Sequence, residues 1–223
     1  MLILLAGIAA CAAPLDRAYA ADASAADPAR GMPVILVFGD SLSAGYGVPP
    51  GHGWVDLMTR QIVREGYDFK IVNASVSGET TEGGLARLPR ALALQRPRIV
   101  ILELGANDGL RGLPVARARD NLDRMIALAQ MSGAKVLLIG MKMPPNYGER
   151  YTSAFYAMYG QLAARHAVAL VPFLMAAVAL KPELIQADGL HPNEEAQPLL
   201  LATVWPELRP MLGNPLRAAA GAR

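Results

Sequence analysis

Short apolar runs alternate with amphipathic segments along most of the chain, and the two patterns predict different elements. Runs of four to seven residues rich in Val, Ile and Leu are typical of buried strands. Apolar residues that recur every three or four positions, with charged residues between them, are typical of helices packed on a sheet. The predicted strands cover 34–38, 69–72, 98–104, 135–141 and 168–171; the predicted helices cover 54–63, 83–94, 116–129, 152–166 and 173–178, and a last helix begins near Pro198.

The order of these elements predicts the fold class. Strands separated by helical segments are joined by right-handed crossovers, which make the strands parallel and place helices on both faces of the sheet. We therefore expect an α/β protein, a three-layer α/β/α sandwich with a central parallel sheet of about five strands. Ligands of such sheets bind beside the loops at the carboxyl ends of the strands.

A polar, glycine-rich turn follows the first apolar run. Gly39, Asp40 and Ser41 come directly after Phe38, at the carboxyl end of the first predicted strand. The same residue types are common in turns and at helix N-termini, so turn and capping chemistry is the alternative to a functional role. Its position makes Ser41 a candidate nucleophile.

A second candidate group lies in the loop 187–193. Asp188 precedes His191 by three residues, a spacing that lets the carboxylate bind the imidazole at Nδ1 and leaves Nε2 free to act as a base. A turn that caps the last helix is the alternative interpretation. The other two histidines, His52 in a glycine-rich loop and His166 on a predicted helix, are interpreted as structural.

Asn107 lies in the loop after the third strand and supplies a third kind of group. A serine, an Asp-x-x-His pair and an asparagine amide are the nucleophile, the oriented base and the hydrogen-bond donor that acyl transfer requires. Because the carboxyl ends of parallel strands meet at one edge of a sheet, these three loops are expected to meet in space. Their combination favours a hydrolase.

Motifs for cofactors are incomplete. Gly45-Tyr46-Gly47 begins like a dinucleotide fingerprint, but Pro50 stands where the third glycine belongs, and the sequence has no Gly-Lys-Ser/Thr run for a phosphate loop. The three histidines are far apart, and the single cysteine, Cys11, lies near the N-terminus. We therefore expect neither a cofactor nor a metal ion.

The composition is that of one domain. With 223 residues, 53% of them hydrophobic, the chain is long enough for one well-buried core and too short for two large ones. The net charge is +2, and the charged residues are scattered, so no basic stripe indicates nucleic-acid or electrostatic membrane binding. We expect a small-molecule substrate and a monomer.

The first 32 residues differ from the rest. Their apolar run, Leu2 to Ala13, is too short to span a bilayer, and Ala18-Tyr19-Ala20 offers a small-x-small cleavage site, which predicts a secretory signal peptide. Cys11, preceded by Ile8-Ala9-Ala10, resembles a lipoprotein box, so cleavage there and a lipid anchor are the alternative. We expect a periplasmic or secreted protein without stable membrane insertion of the mature domain, divided into 1–20 signal peptide, 21–32 flexible tether, 33–213 folded domain and 214–223 C-terminal tail.

The motifs also resemble, in order, those of the SGNH hydrolases, or GDSL esterases. The four matching blocks are Gly39-Asp40-Ser41-Leu42 with Ser43-Ala44-Gly45-Tyr46-Gly47, the loop that contains Gly78, Gly105-Ala106-Asn107-Asp108, and Asp188-Gly189-Leu190-His191-Pro192. The resemblance extends from about residue 33 to about 210. It is closest to the bacterial periplasmic thioesterase, lysophospholipase and arylesterase subgroup, because 109–112, 146–148 and 180–182 resemble that subgroup as well.

The resemblance implies a role for each motif residue. Ser41 would be the nucleophile, His191 the general base and then acid, and Asp188 the orienting carboxylate. The oxyanion hole would consist of the backbone N–H groups of Ser41 and Gly78 with the side-chain amide of Asn107. Two acidic residues are left over: Glu103, at the end of the third strand, is a rival to Asp188, and Asp40 is expected to order its loop by accepting backbone hydrogen bonds.

The substrates implied by the resemblance are acyl esters and thioesters, including aryl esters, acyl-CoA and lysophospholipids, cleaved through an acyl-enzyme. Apolar residues in the loops after the third and fourth strands are expected to line a groove for the acyl chain, with ordinary packing as the alternative; they are Leu110, Leu113, Met143, Pro145 and Tyr147. A carbohydrate O-deacetylase of the same family and a non-catalytic periplasmic binding protein are the alternative functions.

Overall fold

The structure is a computed structural model that describes residues 31–216. The predicted signal peptide at 1–20 and the lipoprotein-like motif at Cys11 lie outside the described residues. So do residues 21–30 of the predicted tether and residues 217–223 of the predicted tail.

Five parallel strands form one sheet in the described part of the chain. They are β1 (Val34–Gly39), β2 (Lys70–Asn73), β3 (Ile99–Glu103), β4 (Lys135–Ile139) and β5 (Ala169–Val171), and they lie in the order β2-β1-β3-β4-β5. The interior strands β1 and β3 are buried along nearly their whole length, because helices cover both faces of a parallel sheet. The predicted fold class is thereby confirmed.

The described helices are α1 (Ser41–Ala44), α2 (Trp54–Arg64), α3 (Thr81–Gln95), α4 (Ala106–Leu110), α5 (Val115–Met131), α6 (Glu149–His166) and α7 (Gln197–Leu208), and 3₁₀ turns cover Pro145–Tyr147, Pro182–Leu184 and Arg209–Met211. The long helices form two groups: α3 packs against α5 and α5 against α6, while α2 packs against α7. None of the described helices is long and apolar enough to cross a membrane.

Helix α2 shows how the pattern becomes structure. Trp54, Met58 and Ile62 lie one turn apart on one face and are completely buried, as the spacing of the apolar residues predicts. The helix ends at Arg64, and Gly66 follows with a φ of 81°, a conformation that costs glycine little because it has no Cβ.

Two details of the predicted elements are wrong. The segment 173–178 forms successive turns rather than a helix, with Leu174 N–H donating to Gly140 O across the top of β4 at 3.1 Å. Within the segment, the N–H groups of Ala176 and Val178 bind carbonyl oxygens three residues earlier, at 3.2 and 2.9 Å, which makes turns, while Leu174 and Val178 are still buried at a spacing that resembles a helix. The apolar spacing also predicts Ala116 on the buried face of α5, but Ala116 is exposed and Ala118 is the buried residue of the first turn.

Candidate active site

Ser41 lies where β1 ends and the one-turn helix α1 begins. The side chain of Asp40 caps this helix, since its Oδ1 accepts the N–H of Leu42 at 3.0 Å. Position 39, before Asp40, has room only for glycine. A Cβ on Gly39 would lie 2.6 Å from Glu103 Oε2 and 2.9 Å from the Glu103 carbonyl oxygen. The close approach of β1 to β3 at Gly39 thus places Ser41 at the edge of the sheet.

His191 and Asp188 lie in one tight loop. Asp188 Oδ2 binds His191 Nδ1 at 2.6 Å, and its Oδ1 accepts the backbone N–H groups of Leu190 at 2.9 Å and of His191 at 3.0 Å. These backbone hydrogen bonds, with a smaller contribution from the imidazole, lower the pKa of Asp188 to about 2. Asp188 is therefore ionised at neutral pH and favours the imidazole tautomer with its proton on Nδ1.

The loop brings the imidazole to the serine. His191 Nε2 lies 2.9 Å from Ser41 Oγ, although the two residues are 150 positions apart in the sequence. With the proton on Nδ1, Nε2 has its lone pair directed at the Ser41 hydroxyl and can accept its proton. The three residues predicted as a catalytic unit are thus joined by a continuous line of hydrogen bonds.

Gly78, in the loop after β2, and Asn107, in the short helix α4 after β3, are the other two predicted site residues. Gly78 is an exposed turn residue with a φ of 78°. Its loop is tied to β1 by the hydrogen bond from Val76 N–H to Gly39 O, 3.0 Å. Asn107 Nδ2 donates to Glu79 O at 3.0 Å and to Asp40 Oδ2 at 3.1 Å. Both amide hydrogens of Asn107 therefore have acceptors, and an incoming oxyanion would have to share one of them.

Beneath the serine, two buried carboxyl groups lie side by side. Asp40 and Glu103 are both inaccessible to solvent, and Glu103 Oε2 accepts the hydroxyl of Ser43 at 2.8 Å and the N–H of Asp40 at 3.3 Å. Within the described residues, Glu103 Oε1 has no hydrogen-bond partner. Glu103 therefore supports the loop of the serine, whereas the carboxylate that binds His191 is that of Asp188.

Burial dominates the electrostatics of this pair. It raises the pKa of Asp40 from 3.8 to about 6, against the opposing effects of the Leu42 N–H and of positive charge on His191. Burial, and next the negative charge of Asp40, raises the pKa of Glu103 well above its ordinary value. Two adjacent buried carboxyl groups do not both ionise readily. A negative charge is better stabilised on Asp40, whose two oxygens accept hydrogen bonds from Leu42 and Asn107, than on Glu103, whose Oε1 has no partner among the described residues.

Three residues that the sequence analysis did not assign support the histidine loop. Gln186 Nε2 donates to Tyr46 O at 2.8 Å and to Pro192 O at 2.9 Å, which links the loops of the serine and the histidine. Gln197, almost completely buried, accepts the N–H of Trp54 at 3.0 Å and donates to Asn193 O at 3.0 Å. The ring of Tyr46 packs on that of His191, with the centroids 4.6 Å apart. Neither Gln186, in a loop, nor Gln197, the first residue of α7, gives a local signal of such long-range bonds.

The predicted substrate-binding residues differ in exposure. Met143 is buried beneath Gly109, Pro145 is exposed, and Leu110 and Leu113 are half-buried. Tyr147 donates its hydroxyl to Leu110 O at 2.8 Å, which connects the loops after β3 and β4. Tyr147 also borders a cavity of about 450 Å³, together with Val115, Tyr151 and Ala154. A second cavity of about 450 Å³ lies between α2 and α7, and neither cavity is lined by Ser41 or His191.

The other histidines contact carboxyl groups away from the serine. His52 Nδ1 lies 2.6 Å from Glu194 Oε1 at the surface, and His166 Nε2 lies 2.8 Å from Asp123 Oδ1, joining α6 to α5. Among residues 31–216, no group of three or more His, Cys, Asp or Glu side chains is arranged to hold a metal ion.

Comparisons with known proteins agree with one another. Residues 37–198 match the family described as GDSL-like lipase/acylhydrolase. Esterase TesA of Pseudomonas aeruginosa is 51% identical over 178 residues, which cover 80% of this chain and 89% of that protein. Thioesterase 1/protease 1/lysophospholipase L1 of Escherichia coli K12 is 41% identical over 180 residues, which cover 81% of this chain and 85% of that protein. A crystal structure of TesA matches with a TM-score of 0.79 at 51% identity, over 80% of this chain and 99% of that chain.

Proposed function

Because the chain belongs to the GDSL-like lipase/acylhydrolase family and is a hydrolase of ester bonds, we propose that Ser41, His191 and Asp188 are its catalytic triad. The observation that carries this proposal is the line of hydrogen bonds from Ser41 Oγ to His191 Nε2, 2.9 Å, and from His191 Nδ1 to Asp188 Oδ2, 2.6 Å. Each distance lies within the range in which a proton can be transferred or an imidazole oriented.

The first half of the reaction forms an acyl-enzyme. His191 Nε2 removes the proton of Ser41 as Oγ attacks the carbonyl carbon of the ester or thioester, and a tetrahedral intermediate forms. The imidazolium is stabilised by Asp188, which remains a carboxylate. His191 then gives the proton to the departing oxygen or sulfur, and the acyl group is left on Ser41.

The second half releases the acid. A water molecule takes the place of the leaving group and gives one proton to His191 Nε2 as its oxygen attacks the acyl carbon. The second tetrahedral intermediate collapses, Ser41 Oγ leaves, and His191 returns the proton to it. The carboxylic acid is released with the enzyme in its starting state.

Three donors are proposed to stabilise the oxyanion of both intermediates: the N–H groups of Ser41 and Gly78 and the amide of Asn107. Ser41 is the first residue of α1, where a backbone N–H has no acceptor within the helix. Gly78 offers its N–H from an exposed turn without a Cβ, so a substrate oxygen can approach closely. Asn107 is held by Asp40 and by Glu79 O, and preorganised donors of this kind are usually the largest single contribution to the rate.

The proposed substrates are acyl esters and thioesters of small molecules: aryl esters, acyl-CoA and lysophospholipids. The names of the esterase and of the thioesterase/lysophospholipase relatives support this range. The proposed acyl-binding residues Leu110, Leu113, Met143, Pro145 and Tyr147 support it as well, because they make the loops after β3 and β4 predominantly apolar. The alternative function, a carbohydrate O-deacetylase, would need polar side chains in these loops to bind its sugar acetates.

The cellular setting is part of the same proposal. We infer that residues 1–20 direct export, that 33–213 form the hydrolase domain, and that the mature chain acts as a monomer in the periplasm or outside the cell. The short apolar run and the Ala18-Tyr19-Ala20 site support export. A lipid anchor at Cys11 is the alternative, and the mass of the N-terminal peptide of the exported protein distinguishes the two.

The test of the function uses a 4-nitrophenyl acyl ester and a serine-reactive phosphonate. Ser41→Ala is expected to lower kcat by a factor on the order of 10⁴ or more and to abolish labelling, while the wild type becomes labelled on the peptide that contains Ser41. Ser77→Ala, an exposed serine near Gly78, is the matched control and should keep both properties. Turnover retained by Ser41→Ala, or a wild type that hydrolyses only acetylated sugars, would contradict the proposal.

A further inference from the structure

The leaving group must pass beside His191, because that imidazole gives it a proton. Tyr46 is the aromatic side chain that packs on this imidazole, with the ring centroids 4.6 Å apart and an angle of 43° between the planes. The proton donor has to approach the departing atom to about 3 Å. A group bonded to that atom therefore reaches the neighbourhood of the Tyr46 ring.

The backbone of Tyr46 is fixed on both sides, while its ring is open to solvent. The N–H of Tyr46 donates to Ser41 O at 3.1 Å, and its carbonyl oxygen accepts from Gln186 Nε2 at 2.8 Å. Gly47 has no Cβ to displace the Gln186 amide, which occupies that space. Yet 53% of Tyr46 is exposed. The result is a preorganised aromatic surface on the histidine side of the serine.

Two more exposed apolar side chains belong to the loops of the site. Val76, 45% exposed, comes two residues before Gly78, and Leu190, 47% exposed, comes directly before His191. Exposed apolar residues also occur on helices, but Tyr46, Val76 and Leu190 stand on three different loops at the same edge of the sheet. Because all three loops carry an exposed apolar side chain, contact with an apolar ligand is favoured over chance exposure.

We propose that Tyr46 is the principal residue of a leaving-group subsite and that it selects esters whose leaving group is aromatic. This inference rests on the proposed triad. It assigns a residue to the leaving group, whereas the apolar loops after β3 and β4 are proposed to bind the acyl chain. A stacked or edge-on ring pair is stabilised beyond the area that it buries. Tyr46 thus contributes to substrate choice separately from the chemistry of Ser41.

The experiment compares the phenyl and ethyl esters of butyric acid with wild type, Tyr46→Ala and Tyr46→Phe. The measured quantity is kcat/KM, which reports the steps up to acylation, when the leaving group is still present. The intrinsic reactivities of the two esters are the same for every variant, so they cancel when the phenyl-to-ethyl ratio of a variant is divided by that of the wild type. Tyr46→Ala should lower the ratio about three- to tenfold, the range expected for one aromatic pair, while Tyr46→Phe should keep it.

A second measurement separates binding from the chemistry of His191. Phenol is a product of the phenyl ester and should inhibit hydrolysis of the ethyl ester, with an inhibition constant raised about three- to tenfold by Tyr46→Ala. Met131→Ala is the control and should change neither quantity, because Met131 is 83% exposed and ends α5 beside the amino end of β4, at the opposite edge of the sheet.

The outcomes are distinguishable. If Tyr46→Ala lowers kcat/KM for both esters by the same factor and leaves inhibition by phenol unchanged, Tyr46 only orients His191 and the subsite is refuted. If wild type hydrolyses neither ester, or Ser41→Ala hydrolyses both, the failure is that of the proposed triad instead.

Discussion

The two buried carboxyl groups beneath Ser41 should respond differently when each is replaced by its neutral amide. Glu103 is surrounded by donors on Oε2, from Ser43 and from the Asp40 backbone, and has no partner on Oε1. A protonated glutamic acid and a glutamine have nearly the same shape and charge. If Glu103 is neutral at pH 7, as its raised pKa indicates, Glu103→Gln should change kcat by less than about threefold, since the acceptor oxygen is retained and no charge is lost.

Asp40→Asn removes a charge that the site uses. Asp40 Oδ2 accepts the amide of Asn107 and Oδ1 accepts the N–H of Leu42, so an asparagine must present an NH₂ group to one of these two donors. If the NH₂ group is turned towards Asn107, that amide loses the acceptor that holds it in place; if it is turned towards Leu42, the cap of α1 beside Ser41 is lost. We expect kcat to fall by a factor of about 10² to 10³, the cost of losing one oxyanion donor, with little change in KM.

A folding defect would not explain the lower kcat of the Asp40→Asn variant. The pKa of Asp40 is raised from 3.8 to about 6, so the ionised group destabilises the folded state by about 3 kcal/mol at neutral pH. The neutral amide of the Asp40→Asn variant removes that cost, and its free energy of unfolding at pH 8 should equal or exceed that of the wild type. Reduced activity without reduced stability identifies a residue that positions the catalytic groups.

The pH dependence of stability provides an independent check on Glu103. A carboxyl group whose pKa is raised by folding binds a proton more tightly in the folded than in the unfolded chain. The free energy of unfolding of the wild type should therefore fall as the pH rises from 4.5, the ordinary pKa of Glu103, towards its raised value. Glu103→Gln should flatten this decline and be the more stable protein at the alkaline end.

The assay is hydrolysis of a 4-nitrophenyl ester from pH 5 to 9, with urea unfolding at the same pH values. The reasoning is refuted if Glu103→Gln loses as much activity as Asp40→Asn, because Glu103 would then act as a charge. It is also refuted if Asp40→Asn keeps its full kcat, because Asn107 would then not depend on Asp40.

Two further predictions concern the histidine loop. Asp188→Asn presents an NH₂ group or a neutral oxygen to His191 Nδ1 and favours the wrong tautomer, so kcat should fall about 10⁴-fold with KM nearly unchanged; equal kcat values would contradict the role of Asp188. The same variant tests the pKa of Asp188, which is lowered from 3.8 to about 2. The ionised carboxylate stabilises the fold above pH 3.8, and this stabilisation is lost as the pH falls towards 2. Any excess in the free energy of unfolding of the wild type over Asp188→Asn should therefore shrink between these pH values. Gln197→Leu leaves the buried N–H of Trp54 without its acceptor and should lower the free energy of unfolding by about 1 to 3 kcal/mol; a smaller loss in urea unfolding would mean that water or another acceptor replaces the glutamine.

The fold was predictable because burial leaves a local pattern. Continuous apolar runs at β1, β3 and β4 and the one-turn spacing on α2 follow directly from which faces are covered. The pattern failed at 173–178, where buried residues recur at helical spacing but the backbone forms successive turns closed by hydrogen bonds to the third residue back. Apolar spacing reports what is buried, whereas the hydrogen bonds of the backbone decide whether a buried segment is a helix.

The site was predictable only in part, for a similar reason. Ser41, Gly78, Asn107, Asp188 and His191 follow strands or occupy tight loops, so their positions have a local signature. Gln186, Gln197 and the packing of Tyr46 on His191 have none, because each depends on a partner far along the chain. The pairing of Asp40 with Glu103 likewise depends on the parallel register of β1 and β3, in which Gly39 faces Glu103.

The sequence by itself determined the α/β class, the parallel sheet and the loops that carry the candidate nucleophile and base, because these depend on the order of apolar, amphipathic and polar segments. Only the tertiary structure decided that Ser41 Oγ lies 2.9 Å from His191 Nε2 across 150 residues. It also decided that Asp40 and Glu103 share a site without solvent and that Tyr46 covers the imidazole. Distances between remote residues and the polarity around a buried group arise from the packing of the whole domain, and no short stretch of sequence contains them.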